Sequence, residues 1–571
     1  MVSRRKRDSS RSSKKGPAPV GKADFGRRDL LKMGLLATGG YLVAKKASSS
    51  PLILVRRRDD FPTSPPTTPF AAPLPIPPTA QNVPLAPAPG EFPVAGEAPR
   101  PAHQKWSQFL PQKTYELVAA ETTHEFHPDL PAPSTVWSFN GIVPGPLFKA
   151  NYGEPIVVRF RNGLPTVAQH VGPGRPEISV HLHNGHTASE SDGNPADFYA
   201  TPLFKDNHYP NVLAGFASTH PPNGDPSEAM STLWYHDHRV EFTSPNVYKG
   251  LAGMYLLFDE LDTGNELTGL HLPSGEFDVP LFFADKLFDE DGQLFFDTFD
   301  FDGLLGDKDT VNGKIQPFFN VARRKYRFRL LNGGPSRFYE FFLSNGLPFI
   351  HISNDGNLLP APIPRQSLRI AVAERVDAIL DFSDTELGEE IILQNRLEQV
   401  NGRGPTGEIL SPGESREVLK FVVTGDAADP SEVPATLRPL PVIDPTAAAA
   451  TRTWRFERKN GQWAVNGKFF DPNKIRAKPK LNTSEIWILR NESGGWSHPI
   501  HIHLEEFRIL EINGQNPQGT LVSRKDMAEL APNTEVRVLQ HFRDWLGKYP
   551  MHCHNTVHED HAMMVRWDVV P

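Results

Sequence analysis

The chain has little of what usually staples a large protein together or ties it to a membrane. One cysteine in 571 residues excludes an intramolecular disulfide, and only 8 methionines are present. Apart from a weakly apolar run near the N-terminus, no stretch approaches the roughly 18 apolar residues that a membrane helix needs. Gly 44, Pro 56 and 10% aromatic residues suit turn-rich β structure better than helix bundles. The length allows about three or four domains at roughly 150 residues each. The formal charge of -7 conceals a split: residues 1 to 60 carry 16 Lys/Arg against 5 Asp/Glu, which leaves -18 on the remainder. So acidic a body disfavours a nucleic-acid partner.

The basic segment reads as an export signal. Arg27-Arg28 precede a short apolar run, Met33 to Ala44, followed by Lys45-Lys46. Paired arginines ahead of a modest apolar run mark a twin-arginine signal, which a receptor reads. The expected partner is therefore the twin-arginine export machinery, and the expected location is periplasmic or extracellular, with no stable membrane span after processing. Residues 1–50 form this signal region. Residues 51–105 are crowded with proline and are expected to form an extended linker without a core of its own, part of it against the folded body.

An internal repeat then sets the architecture. Asn140-Gly141 precedes the strand-like Ile156 to Asn162, Asn312-Gly313 precedes Tyr326 to Asn332, and Asn466-Gly467 precedes Glu485 to Asn491. Asn-Gly is a strong turn former, and the alternating β-branched and aromatic residues after it read as half-buried strands. The pattern predicts an all-β chain of three consecutive β-sandwich domains, at 106–262, 263–430 and 431–571.

The chemistry gathers near the C-terminus, in Met551-His552-Cys553-His554 and the following His558 and Met563. A thiolate, two imidazoles and a weak axial thioether form a blue-copper site. Cys553, His558 and Met563 provide three of these ligands. His498 provides the fourth, because Pro499 breaks the strand period and turns its ring away from His501. Side chains alternate along a strand, so Cys553 faces one way and His552 and His554 the other. Four H-x-H pairs occur where random placement of 21 histidines gives about one: His181/His183, His236/His238, His501/His503 and His552/His554. Eight imidazoles are too many for one four-coordinate zinc and suit a cluster of three coppers. They fall in the first and third copies; the second offers only His351. His186, His541 and His561 match no ligand position.

The motifs HLHNG (181–185), WYHDH (234–238), GLAGMY (250–255), HPIHIH (498–503) and HCHNTVHEDHAMM (552–564) resemble those of three-domain multicopper oxidases, above all spore-coat laccases and bilirubin oxidases. The likeness runs from about residue 106 to the end. It implies cupredoxin-like Greek-key domains and four coppers per chain. The type 1 ligands would be His498, Cys553, His558 and Met563. His181 and His501 would hold type 2, and His183, His236, His238, His503, His552 and His554 the type 3 pair. It further implies one-electron oxidation of phenolic or similar donors coupled to four-electron reduction of dioxygen to water, with Asp192 and Glu559 supplying protons. Trp496 resembles bilirubin oxidases and borders either the donor site or the core. Asn184 stands where related laccases often have glycine. Two other readings are an oxidase of Mn(II), Fe(II) or Cu(I), of which the last is disfavoured by the few methionines, and a copper-free structural protein, which should show broken H-x-H pairs. The signal is checked by replacing both Arg27 and Arg28 with Lys: cell fractionation should then find the folded chain retained in the cytoplasm.

Overall fold

A computed structural model describes residues 61–213 and 225–571, together with two short paired strands, Gly40–Leu42 and Ile53–Val55. Arg27, Arg28 and the rest of the signal region lie outside the described residues. The body is all-β, with three pairs of facing sheets: two four-stranded sheets, then an eight-stranded on a five-stranded sheet, then a six-stranded on a four-stranded sheet. Each pair encloses a core of its own, around Leu117, Phe160 and Tyr235, around Phe328, Phe341 and Phe421, and around Trp487, Trp545 and Cys553. Helix among the described residues is limited to short pieces such as Thr243–Tyr248 and Thr556–Asp560.

The repeat has a local cause. Asn140, Asn312 and Asn466 adopt φ of 56°, 48° and 50°, and the glycine after each is also left-handed, at 75°, 79° and 65°. Two successive positive φ values define the turn that Asn-Gly favours. Each asparagine Oδ1 also accepts a backbone N–H from a strand of its own sandwich, from Val118 at 2.7 Å, Phe282 at 2.8 Å and Arg455 at 2.8 Å. The strand that follows lies parallel to an earlier one in each copy: Ile156–Asn162 to Lys113–His124, Lys325–Asn332 to Asp278–Phe288, and Thr483–Asn491 to Ala450–Lys459. Its terminal asparagine closes an Asx turn, accepting from Leu164, Gly334 or Ser493 at 2.9 to 3.1 Å. One architectural unit is thus written three times.

The proline-rich segment lies along this body. Ser64 bonds Asp307, and Leu74 enters the middle core behind a parallel bridge from Pro73 to Phe318. Ala98 enters the first core beside a bridge from Glu97 to Phe204. Gln104 then reaches the third sandwich, donating to the Leu546 carbonyl at 3.0 Å.

Buried arginines seal the sandwiches together. Between the first and middle pairs, Arg327 sits 2.7 Å from Asp262 and 2.6 Å from Asp377, all three buried. Arg375 joins the middle to the third through Asp526 at 2.9 Å, and Arg543 joins the third to the first through Glu228 at 3.0 Å. Removing one partner strands the other charge in a dry interface, at about 3–5 kcal/mol. Arg327→Met should accordingly lower the melting temperature in calorimetry by several degrees, more than the exposed Arg323→Met does.

Candidate metal centre

Two adjacent strand pairs place the histidines. In the first sandwich Val180–His183 and Thr232–Asp237 run antiparallel with His181 opposite His236. In the third, His498–Ile502 and Gly547–Cys553 run antiparallel with His501 opposite His552. The two sets face one another across the domain junction. His238, His503 and His552 bring their Nε2 atoms to 3.1–3.3 Å of each other. His183, His236 and His554 form a second group, and His181 and His501 meet at 3.3 Å between Nε2 atoms.

What aims six of these eight rings is the bond each makes at its far side. The Nδ1 of His181 donates to the Asp192 carbonyl (2.6 Å), that of His236 to the Asp237 carbonyl (2.8 Å), and that of His501 to the Asp526 carbonyl (3.0 Å). Carboxylates hold three more: Asp192 takes His503 at 2.8 Å, while Glu559 spans His238 at 3.0 Å and His552 at 3.1 Å. Fixing the proton on Nδ1 leaves the Nε2 lone pair pointing inward, which is how a ligand imidazole is prepared. Burial lowers the pKa of His183, His236, His238, His501, His503 and His554, so these rings are neutral.

The second site lies on the opposite face of the same strand, where Cys553 Sγ stands 3.4 Å from His498 Nδ1 and 3.6 Å from His558 Nδ1. Here the tautomers are reversed. The Nε2 atoms face outward, that of His498 to Ser493 Oγ at 2.8 Å and that of His558 to the Asp302 carbonyl at 3.1 Å. Met563 is fully buried in the same core, its carbonyl accepting from the Cys553 N–H and its N–H donating to the His558 carbonyl. Burial alone holds His498 at about 3.

Metal fits both sites on chemical grounds. His183 Nδ1, His236 Nε2 and both nitrogens of His554 are buried with no hydrogen-bond partner among the described residues, a costly arrangement unless a cation takes their lone pairs. Burial pushes the Cys553 thiol well above its usual range, so a thiolate there needs a cation in contact. Imidazole with a soft thiolate is a donor set suited to copper.

Comparison with known proteins decides the family. The multicopper oxidase family model matches residues 443–571. The chain is 34% identical to the bilirubin oxidase of Albifimbria verrucaria over 515 residues, 87% of this chain and 81% of the relative. The chain is a multicopper oxidase. A laccase of Bacillus subtilis is 33% identical, covering 82% of this oxidase and 97% of the relative. The crystal structure of the multicopper oxidase McoA from Aquifex aeolicus superposes with a TM-score of 0.69 at 26% identity, over 81% of this oxidase and 97% of that chain. The three sandwiches are therefore cupredoxin domains, and the oxidase is a copper-dependent oxidoreductase that uses dioxygen.

Several residues around the oxidase's two sites escaped sequence reasoning. Asp526 Oδ2 lies 3.2 Å from His183 Nε2, and Arg375 of the middle sandwich grips both Asp526 oxygens at 2.9 Å. Trp463 packs against His558 with ring centroids 4.1 Å apart and the planes tilted by 43°, and Trp496 meets Trp463 edge-on at 5.4 Å. Trp496 is half-buried under two guanidiniums, Arg403 at 4.5 Å and Arg458 at 4.7 Å from its ring, and donates to Asp302 at 3.2 Å. The middle sandwich, whose sequence offers only His351, thus supplies Arg375 to one site and the Asp302 and Arg403 loops to the other. Asn184 has φ of 65°, the left-handed region where glycine is at ease, and its side chain bonds the Asp355 carbonyl and Glu506 at 2.8 Å each. His186, His541 and His561 stand apart from both sites, bonded to Asp544, Ser484 and the Val557 carbonyl. Loss of a group that orients a ligand typically costs about 10–100-fold in metal affinity. Asp526→Asn should retain less copper than the parent after dialysis against a chelator, while the absorption of the Cys553 site persists.

Proposed function

We propose that this oxidase withdraws single electrons from phenolic or similar aromatic donors and delivers them four at a time to dioxygen, forming water, with four coppers per chain. His498, Cys553, His558 and Met563 would hold type 1, and His181 and His501 type 2. His183, His236, His238, His503, His552 and His554 would hold the type 3 pair. When bound, copper supplies reversible one-electron acceptance beside the thiolate and multi-electron reduction at the cluster.

One observation carries the reading: Cys553 faces the thiolate site while its neighbours His552 and His554 face the cluster. The two sites are thereby separated only by covalent bonds along one strand, the shortest connection a polypeptide offers. Met563, a weak thioether donor, would give a copper held there a moderate potential. Asp192 and Glu559 suit the supply of protons, since each is fully buried and already bonded to cluster imidazoles. Their carboxylates orient those rings in the same act.

The mouth of the thiolate site supports an aromatic donor. Trp496 offers a flat, half-buried surface, and Trp463 links it to His558. Arg403 and Arg458 flank it, and both engage Asp302, at 3.1 Å and 3.6 Å. A divalent cation would meet two guanidiniums there and a carboxylate already paired, which weighs against Mn(II) or Fe(II). The four intact H-x-H pairs weigh against a copper-free structural role. Among the described residues no helix is long and apolar enough to cross a membrane. Export by the twin-arginine route remains part of this proposal, supported by Arg27-Arg28.

The test is to load the purified protein with copper and follow metal content, visible absorption and oxygen uptake with a phenol, a bilin and Mn(II). The expected result is four coppers per chain, a blue band that Cys553→Ser abolishes, and oxygen consumed without peroxide, fastest with an organic donor. Fewer coppers with no oxygen uptake would overturn the reading, and a faster rate with Mn(II) would overturn the choice of donor.

A further inference from the structure

A cavity of about 350 Å³ lies between the middle and third sandwiches and contains none of the candidate copper ligands. Its size falls in the range of small-molecule sites. Its two walls differ in character. The third sandwich presents Ile509, Ile512, Leu521 and Val536, while the middle sandwich presents His351 and several arginines.

Most of the charge is already matched. Arg369 is held by Glu529 at 2.6 Å, Arg375 by Asp526 at 2.9 Å, and Lys525 by Asp355 at 2.8 Å and Glu374 at 3.0 Å. Arg365, exposed at the end of the strand Asn357–Arg365, is different: its guanidinium has no ion pair or hydrogen bond among the described residues. His351 bonds the Ser353 carbonyl and Asn354 through Nε2, and it is pushed down to about 4, first by burial and further by Lys525 and Arg365. The inner end of the cavity is therefore neutral, and its surplus charge is one cation beside an apolar wall. Leu521 and Val522 extend that wall outward, 37% and 39% exposed.

We propose that this cavity binds a small aromatic carboxylate, its carboxylate on Arg365 and its ring against Ile509, Ile512 and Leu521. One unmatched guanidinium suits one anionic group, and a planar carboxylate matches its fork. The apolar wall and the limited volume select a body of one or two rings. The site is separate from the mouth at Trp496, and its existence does not depend on the donor proposed above.

The experiment is calorimetric titration of the copper-loaded protein with 2-naphthoate and with the neutral 2-naphthamide. One saturable site per chain is expected for the carboxylate. Binding should be weaker by roughly tenfold or more for the amide and in Arg365→Ala, the expected loss for a charge-assisted bond. Ile512→Trp, which fills the cavity, should abolish binding while oxygen uptake with a phenol is unchanged. Absence of saturable binding would overturn the proposal, and so would an affinity unaltered in Arg365→Ala and Ile512→Trp. A loss caused by Arg403→Ala instead would place the probe at Trp496 and would equally overturn it.

Discussion

The structure depends on holding many imidazoles, unprotonated, in one dry place. Imidazoles brought this close would repel if charged, and as neutral rings they turn freely unless something outside grips them. The grip is the set of Nδ1 bonds to the carbonyls of Asp192, Asp237 and Asp526 and to the carboxylates of Asp192 and Glu559. Asp237 and Asp526 sit at or just beyond strand ends, Asp192 in a turn and Glu559 on the short helix Thr556–Asp560, and the strands are rigid because each belongs to a packed sandwich. The buried arginine pairs between sandwiches follow from the same need: the cluster is assembled from two domains, so their relative position must not drift.

Much of this was legible in the sequence because it is local. Asn-Gly turns and the asparagines that end the next strands depend on neighbours a few residues away, so three copies of the sandwich could be read from spacing. H-x-H pairs and the Cys553 run obey strand alternation, which needs no knowledge of the rest of the chain. What could not be read is what the tertiary fold alone brings together. Arg375 is 151 residues from Asp526, and nothing around it differs from an ordinary polar strand. Trp463 sits beside His558 because a hairpin of the third sandwich folds over the thiolate site, and its local sequence looks like any core strand. Asn184 was visible as a departure from glycine, but only its backbone angle explains why asparagine serves there.

The two sites invert one another in a way that follows from the strand. At the cluster six rings have Nδ1 tied down outside and Nε2 facing in, while His183 turns its Nε2 to Asp526. At Cys553 it is Nδ1 that faces the sulfur, while Nε2 of His558 reaches outward to the Asp302 carbonyl at the foot of the Trp496 mouth. The outward nitrogen makes the imidazole of His558 the natural contact between the buried sulfur and the protein surface. Loops of the middle domain close over that contact, so a domain without the chemistry of its neighbours still shapes access to it.

The proline-rich strap has a consequence for how the chain comes into being. It is made before any sandwich, yet its anchors arrive late: Ser64 waits for Asp307, and Gln104 waits for Leu546, 442 residues further on. During synthesis the strap finds its partners in stages, Ala98 beside Phe204 first, Ser64 and Leu74 only at Asp307 and Phe318, and Gln104 last of all, and closing a loop of that last length is slow in entropic terms. The contact at Gln104 is therefore among the last events of maturation, a latch that shuts only on a chain whose final domain has already formed.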